Sequence, residues 1–234
     1  MKKLFPFALS IALLAGTVVF LPASGTKAQT AGLVSSIFSR MDRNKRSLKS
    51  LKANITMLKY NSQIRDTDKY QGLVLYIPGA NNSSAFLRLE WTSPISEILA
   101  VANGNYDLYK PRQNLVYRGK TGTIGSKRDN DVLALMSMSP AQLRARFGEL
   151  EDLRDETLWG GVSTQHFKAT PKGGASYKYI EVWVDADGMP VQTKMVEKND
   201  DSTTMRLTNV QRNASIPMDQ FKLNLGSNVK VVKG

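Results

Sequence analysis

The stretch FLRLEWTSPISEILAVANGNYDLYKP, from Phe86 to Pro111, decides the fold. In its first part apolar and polar residues alternate, so one face of an extended strand carries the bulky side chains of Leu87, Leu89 and Trp91. Pro94 ends this strand, and Asn103-Gly104 predicts a tight hairpin because both residues tolerate positive φ. The stretch therefore predicts consecutive antiparallel strands with one strongly apolar face.

Strands of the same kind are predicted on both sides of this stretch. ANITMLKY and YQGLVLYIPG precede it, and RQNLVYRG follows it. Five more segments with strand character run from residue 150 to 213. Sequential strands joined by short turns favour an antiparallel meander, and there is no alternation of strands with helices that would indicate a parallel sheet.

Two regions have helical periodicity instead. In residues 31–51 an apolar stripe follows the i, i+3, i+4 spacing, through Leu33, Val34, Ile37, Phe38 and Met41, and then Leu48 and Leu51. Residues 130–147 form the second region, where Ser139 and Gln142 predict a capping box with Pro140 in the first turn. The predicted fold is mainly β: a single-domain, half-open antiparallel β-barrel of about 11 strands, with an N-terminal helix and a helical insertion covering the mouth as a lid.

The first residues predict a targeting segment. Lys2 and Lys3 precede an apolar run from Leu4 to Leu21, and small and polar residues follow. We interpret residues 1–28 as a signal peptide and 29–234 as the functional domain; cleavage after residue 23 or 31, or an uncleaved anchor, are the alternatives. Removal of three lysines and no acid lowers the net charge from +12 to +9.

The chain contains no Cys, which excludes disulfides, a thiol nucleophile, thiolate metal sites and a lipid-modified Cys. Export without an anchor and without Cys fits the bacterial periplasm. Its Lys and Arg residues are spread along the chain, which together with export argues against nucleic acid as a partner. The positive charge indicates either contact with anionic lipid headgroups and acidic partners or an ordinary solvated surface.

Residues with catalytic potential are few. His166 is the only His, and the nearby Ser163 lies on the opposite face of its predicted strand. The acids of ELEDLRDE, residues 149–156, fit a solvated strand face better than an acid–base pair or a calcium site. GKTGTIGSK lacks the ending of a phosphate-binding loop. We predict no catalytic residue, no metal and no cofactor; a hydrolase that uses His166 or these acids is the disfavoured alternative.

The excess of bulky apolar side chains predicts a binding protein instead. The predicted ligand-binding cavity is lined by Leu73, Leu75, Leu87, Leu89, Trp91, Leu99 and Val101. The predicted lid presents Leu133, Leu135, Met136, Met138 and Leu143. Methionine suits such a surface because it is flexible and adapts to several apolar shapes.

The segment from GLVLYIPG through NYDLYKP resembles the periplasmic outer-membrane lipoprotein carriers of the LolA type. The resemblance rests on a strand ending at Pro78, an aromatic strand with Trp91 and Pro94, the Asn103-Gly104 turn, and a strand ending at Pro111. FKATP and the chain from IEVWVDADG to FKLN are similar to the second half of the family, so the resemblance covers about residues 33–232.

The resemblance implies a half-open barrel closed by helices, and cargo consisting of the acyl chains of lipoproteins. It also implies two partners, an inner-membrane ABC transporter and an outer-membrane receptor; we expect a monomer. The family often has a basic lid-latching residue where this chain has Ile77, and a Trp where it has Asp107. The same fold serves a periplasmic sensor that restrains an anti-sigma factor and has a second domain, for which this chain is expected to be too short. A lipid- or glycolipid-binding sensor is therefore the alternative function.

Overall fold

A computed structural model describes residues 25–79 and 85–234, with side chains from residue 30 onward. Most of the predicted signal peptide, residues 1–24, lies outside the described residues. Within the described ranges, no helix combines the length and the apolar character needed to cross a membrane.

Helix α1 spans Gly25–Ser47. It begins six residues before the predicted start at residue 31, and it does not reach Leu51. Leu51 instead opens the first strand, where it alternates with lysine and asparagine and is fully buried together with Ala53 and Ile55. The period of two therefore begins at Leu51, and the apolar residue that fitted the helical stripe belongs to the sheet.

The described residues form one sheet of 12 strands. The strands are β1 (Leu51–Asn61), β2 (Asp66–Ile77), β3 (Phe86–Ser93), β4 (Glu97–Ala102), β5 (Asn105–Lys110), β6 (Leu115–Lys120), β7 (Phe147–Leu158), β8 (Val162–Pro171), β9 (Tyr177–Asp185), β10 (Pro190–Glu197), β11 (Ser202–Arg212) and β12 (Lys230–Lys233). Their order in the sheet is β12-β6-β5-β4-β3-β2-β1-β11-β10-β9-β8-β7. Only the β12–β6 pair is parallel among these, and the terminal strands β12 and β7 do not pair with each other. The prediction of a mainly β, half-open antiparallel barrel is confirmed.

Helices α2 (Lys127–Ser137) and α3 (Pro140–Arg146) lie between β6 and β7. Each begins with a serine cap: Ser126 Oγ accepts a hydrogen bond from the Asp129 amide, and Ser139 Oγ accepts one from the Gln142 amide, both at 3.3 Å. These bonds satisfy amides that have no partner inside the helix. Ser139 is confirmed as the N-cap, and its hydroxyl also donates to Gln142 Oε1 at 3.1 Å.

Two hydrophobic cores fill the inside of the curved sheet. In the first core, α2 packs against β1 to β5, where Leu87 pairs with Val101 and Leu89 with Leu99. Val191 of β10 and Met205 and Leu207 of β11 belong to the same core. In the second core, α1 and α3 pack against β8 and β9. Its buried members include Ile37, Phe38, Met41, Leu143, Phe147, Phe167 and Val182. Helix α2 therefore covers the first core, and α1 and α3 cover the second.

Candidate functional site

The inner face of β3 and β4 is a solid part of the first core. Leu87, Leu89 and Trp91 of β3 are fully buried, as are Leu99 and Val101 of β4. Helix α2 lies directly on them, because Val132 and Leu135 belong to the same cluster and Leu133 and Met136 pack against it. The predicted cavity face therefore contacts the lid rather than open space.

Leu73 and Leu75 lie on the opposite face of the sheet, and the prediction that they share the face of Leu87 and Leu89 is wrong. The register pairs Leu73 with Glu90 and Leu75 with Arg88, whereas Val74 pairs with Leu89. Both faces of β2 are apolar, so alternation alone did not show which one turns inward. The outer face is apolar because the C-terminal segment covers part of it: the Phe86 and Phe221 rings lie 5.7 Å apart, and Arg88 Nη1 donates to the Gln220 carbonyl at 3.1 Å.

A cavity of about 440 Å³ lies where the two cores meet. Four of the predicted lid residues line it: Leu133, Leu135, Met138 and Leu143. The seven residues predicted to line the barrel side do not, because α2 fills the space over β3 and β4. The barrel side of the cavity is formed instead by Ile180 of β9, Thr193 and Met195 of β10, and Thr203 and Met205 of β11. The cavity has a volume in the range typical of small-molecule sites.

A smaller cavity of about 140 Å³ adjoins the first. Both cavities are bordered by Tyr76, Leu135 and Met138, and Met136 borders the smaller one. Helix α1 contributes Met41, Asn44 and Lys45 to its wall, and Leu48 follows directly after the helix. The α2–α3 connection therefore separates two adjoining spaces beneath the helices.

Polar contacts hold the start of α2 on the barrel. The Trp91 indole Nε1 donates to Asp129 Oδ1 at 2.9 Å, and the Asp129 side chain is fully buried. Arg128 forms an ion pair with Glu97 of β4, and its guanidinium lies 4.9 Å from the centre of the Trp91 ring. Trp91 therefore anchors the lid, and Arg128, Asp129 and Glu97 form the anchor with it.

Sequence reasoning missed the three polar members of this anchor. A signal for two of them is present, because Ser126-Lys-Arg-Asp129 before the apolar run VLALM has the spacing of a helix cap. The pairing of Arg128 with Glu97 has no local signal, since the two residues meet only after the barrel has curled. On the other side of the opening, Lys127 forms an ion pair with Glu197 of β10, with side chains 59% and 28% exposed.

Comparison with known sequences identifies the family. Residues 88–224 match the family model described as outer membrane lipoprotein carrier protein LolA, which is more than half of the chain. The chain belongs to the LolA family. The matched region runs from β3 through β11 and includes both lid helices and the strands that line the cavity. A search among curated protein sequences returns no match.

Solved structures with the same fold have low sequence identity to this LolA-family chain. A crystal structure of MucB has a TM-score of 0.57 and 16% identity, covering 86% of this chain and 66% of that one. A chain of the Pseudomonas aeruginosa MucA/MucB complex has a TM-score of 0.52 and 16% identity, covering 85% of this chain and 63% of that one. LprF from Mycobacterium bovis has a TM-score of 0.50 and 10% identity, covering 80% of this chain and 96% of that one. The chain thus spans about two thirds of the MucB chains, and these likenesses show a shared fold.

The two departures from the usual LolA pattern lie away from the cavity. Ile77 pairs with Phe86, on the side of the sheet that the C-terminal segment covers. Asp107 accepts two hydrogen bonds from Arg118 at 2.7 Å, across the β5–β6 pair. In this LolA-family chain the basic residue that ties the lid to the barrel is therefore on the lid itself, at Arg128.

The wall of the cavity contains a few polar groups. Burial raises the pKa of the Tyr76 phenol, which therefore stays neutral. Desolvation raises the pKa of Asp131 from its ordinary 3.8 to about 6, against the opposing effects of Lys127 and Lys59. An apolar cavity with a few polar groups is the usual make-up of a site that orients an amphiphilic ligand.

His166 and the acidic strand β7 do not form a catalytic group at this cavity. The His166 side chain is fully buried; Nε2 lies 3.0 Å from Glu181 Oε2, and Nδ1 lies 3.0 Å from the Asp152 carbonyl oxygen. Its ring lies 4.6 Å from the Trp183 ring, which fixes it in a packed structural position. Arg154 pairs with Asp152 and Glu156 and holds the pKa of Asp152 below its usual range, the opposite of what a general acid needs. Among the described residues, no cluster of three or more His, Asp or Glu is placed to hold a metal.

Proposed function

We propose that this protein is a periplasmic carrier that binds the acyl chains of lipoproteins beneath the α2–α3 lid and conveys them from the inner to the outer membrane. The observation that carries the proposal is the apolar cavity of about 440 Å³, enclosed by the lid within a LolA-family chain. Its walls offer apolar contact along Leu143, Ile180 and Met195, and this kind of contact holds a hydrocarbon chain without directional bonds.

The binding energy of such a site comes from removing hydrocarbon from water. A palmitoyl chain gains on the order of 10 kcal/mol at about 0.8 kcal/mol per buried CH₂. Packing of the lid in the empty protein competes with this gain, because lid residues such as Leu135 and Leu143 are buried in the two cores. A carrier needs this competition, since the chain must be released at its destination.

Membership of the LolA family supports a route and two partners for this carrier. Delivery begins at an inner-membrane ABC transporter and ends at an outer-membrane receptor, with the protein acting as a monomer between them. The predicted signal peptide of residues 1–28 supports export to the periplasm. Exposed basic residues near the end of α1, namely Arg43, Lys45, Arg46 and Lys49, support approach to anionic membrane surfaces.

Two neighbouring threonines of β11 provide the test. Thr203 is buried and lines the cavity, whereas Thr204 is the next residue and lies on the other face, paired with Lys194. Thr203→Phe fills the cavity, and Thr204→Phe adds the same ring outside it. We expect wild type and Thr204→Phe to extract a tripalmitoylated lipopeptide from vesicles, and Thr203→Phe to extract at least about tenfold less. Equal extraction by the two variants would place the acyl chains elsewhere.

A second candidate is a lipid- or glycolipid-binding sensor that acts on a partner protein. It is favoured by the fold shared with MucB, whose structure is known in a complex with MucA. Native mass spectrometry of the protein isolated from its own host separates the two functions. Bound acylated lipoprotein supports the carrier, whereas a stoichiometric partner protein that carries no acyl chain supports the sensor, with or without bound lipid.

A further inference from the structure

Two polar atoms in the main cavity have no hydrogen-bond partner among the described residues. Thr121 Oγ1 lies in the short turn that follows β6, and Asp131 Oδ2 lies in α2. Both atoms are buried, and both residues line the cavity. Buried polar groups in folded proteins are almost always paired, so these two unpaired atoms in one cavity are available to a hydrogen-bonding group of a ligand.

The surroundings of these atoms define the chemistry of the missing partner. Asp131 is influenced by Lys127 and Asp129 of α2, Lys59 of β1 and Glu197 of β10. Lys127 pairs with Glu197, and Asp131 Oδ2 has no hydrogen-bond partner among the described residues. Since a carboxylate accepts hydrogen bonds and repels anions, the site suits a ligand group that donates and carries no negative charge.

The rest of the cavity is apolar. Leu143, Phe147 and Ile180 are among its lining residues, and the first two belong to the second core. One ligand that satisfies both parts has a hydrocarbon chain for these walls and a short polar head for Thr121 and Asp131.

We propose that Thr121 and Asp131 form a headgroup subsite that selects acyl ligands whose head donates a hydrogen bond through a hydroxyl or an amide N–H, and that discriminates against free fatty acids. The inference rests on the proposed function, because it assigns a specificity to the same cavity. The Thr121 hydroxyl serves as a second acceptor or as a donor to the carbonyl of the head, and Asp131 accepts from the hydroxyl or amide.

The test compares three palmitoyl ligands on the full-length, delipidated protein at pH 7.5. Each ligand displaces the neutral dye Nile red: 1-palmitoylglycerol presents hydroxyls, N-palmitoylethanolamine adds an amide N–H, and palmitate presents a carboxylate. We expect both neutral ligands to bind at least about tenfold more tightly than palmitate. A preference between the two neutral ligands then identifies the hydroxyl or the amide as the donor that the subsite takes.

Nearly isosteric variants test the two residues. Asp131→Asn should strengthen palmitate binding about tenfold, because it removes the repelling charge and keeps an acceptor. Thr121→Val should weaken both neutral ligands about three- to tenfold. Thr123→Val in the same turn is the control, because the Thr123 hydroxyl bonds to the Lys120 carbonyl and does not line the cavity. If Thr121→Val or Asp131→Asn unfolds, the preference of the wild-type protein for neutral ligands over palmitate still tests the proposed subsite.

The outcomes separate this inference from the function on which it rests. Equal binding of all three ligands, unchanged in both variants, would overturn the subsite and leave the acyl-binding cavity standing. Failure of every ligand to displace the dye would overturn both.

Discussion

Gly188 determines how closely α1 approaches the sheet. It lies in the turn between β9 and β10 with φ at +88°, and a Cβ added to it would lie 2.2 Å from the Arg40 carbonyl carbon and 2.3 Å from its oxygen. The backbone of α1 therefore occupies the place of any side chain at this position. Glycine is required here for two reasons: the backbone is left-handed, and the backbone of α1 approaches too closely for a side chain.

We expect Gly188→Ala to lower the free energy of unfolding by about 2–4 kcal/mol, from about 1–2 for the left-handed backbone and the remainder for the displaced helix. Gly160→Ala is the matched control, because Gly160 has φ at +87° but open space around it, so it should lose only about 1–2 kcal/mol. Guanidinium denaturation measures both values. Equal losses in the two variants would contradict the contact with α1.

Asp131 makes stability depend on pH in a definite direction. Its pKa is about 6 in the folded protein and 3.8 ordinarily, so between these values the folded state binds the proton more tightly. The free energy of unfolding therefore falls as pH rises from about 4 to 6, and the contribution of Asp131 is fully lost above its pKa in the folded protein. Asp131→Asn should be about 1–2 kcal/mol more stable than wild type at pH 7, a value reduced for partial solvent exposure, and equal to it near pH 4.

Urea denaturation at pH 4, 5, 6 and 7 checks this expectation. Asp68→Asn changes an exposed carboxylate of β2 and should show no such trend. If the difference in unfolding free energy between Asp131→Asn and wild type is the same at pH 4 and pH 7, the Asp131 carboxylate is not desolvated in the cavity wall.

Local sequence rules were reliable wherever the backbone alone decides. The Asn103-Gly104 pair adopts φ of 52° and 73° and joins β4 to β5, as its composition predicts. The faces of Leu73 and Leu75 were not predictable in this way, because β2 is apolar on both sides. Which side turns inward depends on the C-terminal segment, more than 130 residues away, which covers the other side at Arg88.

At the scale of elements, the start of α2 is the part of the lid with the strongest polar attachment. Arg128 and Glu97 have side chains only 13% and 15% exposed, and the neighbouring Asp129 is fully buried. Arg128→Ala leaves the buried Asp129 without its cation and leaves Glu97 with only Lys110, at 3.7 Å, so we expect α2 to lose about 3 kcal/mol of local stability. Hydrogen exchange of the amides in α2 measures this loss, while the amides of β8 and β9 should be unchanged.

Lys127→Ala is the matched control for this lid variant. It removes the adjacent cation and the ion pair with Glu197, whose lysine is 59% exposed, so the expected loss is below about 1 kcal/mol. We also expect bound ligand to exchange faster in Arg128→Ala than in Lys127→Ala. Equal loss of protection in the two variants would contradict the anchor at Trp91 and Glu97.

The lid itself was predictable from sequence, and the place of the cavity was not. Helical periodicity and the cap at Ser139 located the insertion, and four of its five predicted apolar residues line the main cavity. The opposite wall was predicted on β2 to β4 but lies on β9 to β11. The difference arises because α2 fills the space over Leu89 and Leu99. A local sequence pattern does not show which strands of a curled sheet a helix will cover.

At the scale of the whole molecule, the open barrel has two cores in place of one. Helix α2 closes the first core, α1 and α3 close the second, and the cavity lies where they meet. We expect a ligand that enters there to shift the helices of the two cores relative to each other while the sheet stays intact.

We propose that the acyl chains lie between these two cores. A synthetic lipopeptide whose palmitoyl chains carry a diazirine tests it most directly, when bound, irradiated and mapped by peptide mass spectrometry. We predict labelling of α2, α3 and the inner residues of β9 to β11, among them Leu143, Ile180 and Met195. Labelling confined to β3 and β4, or to the outer face of the sheet, would contradict the account.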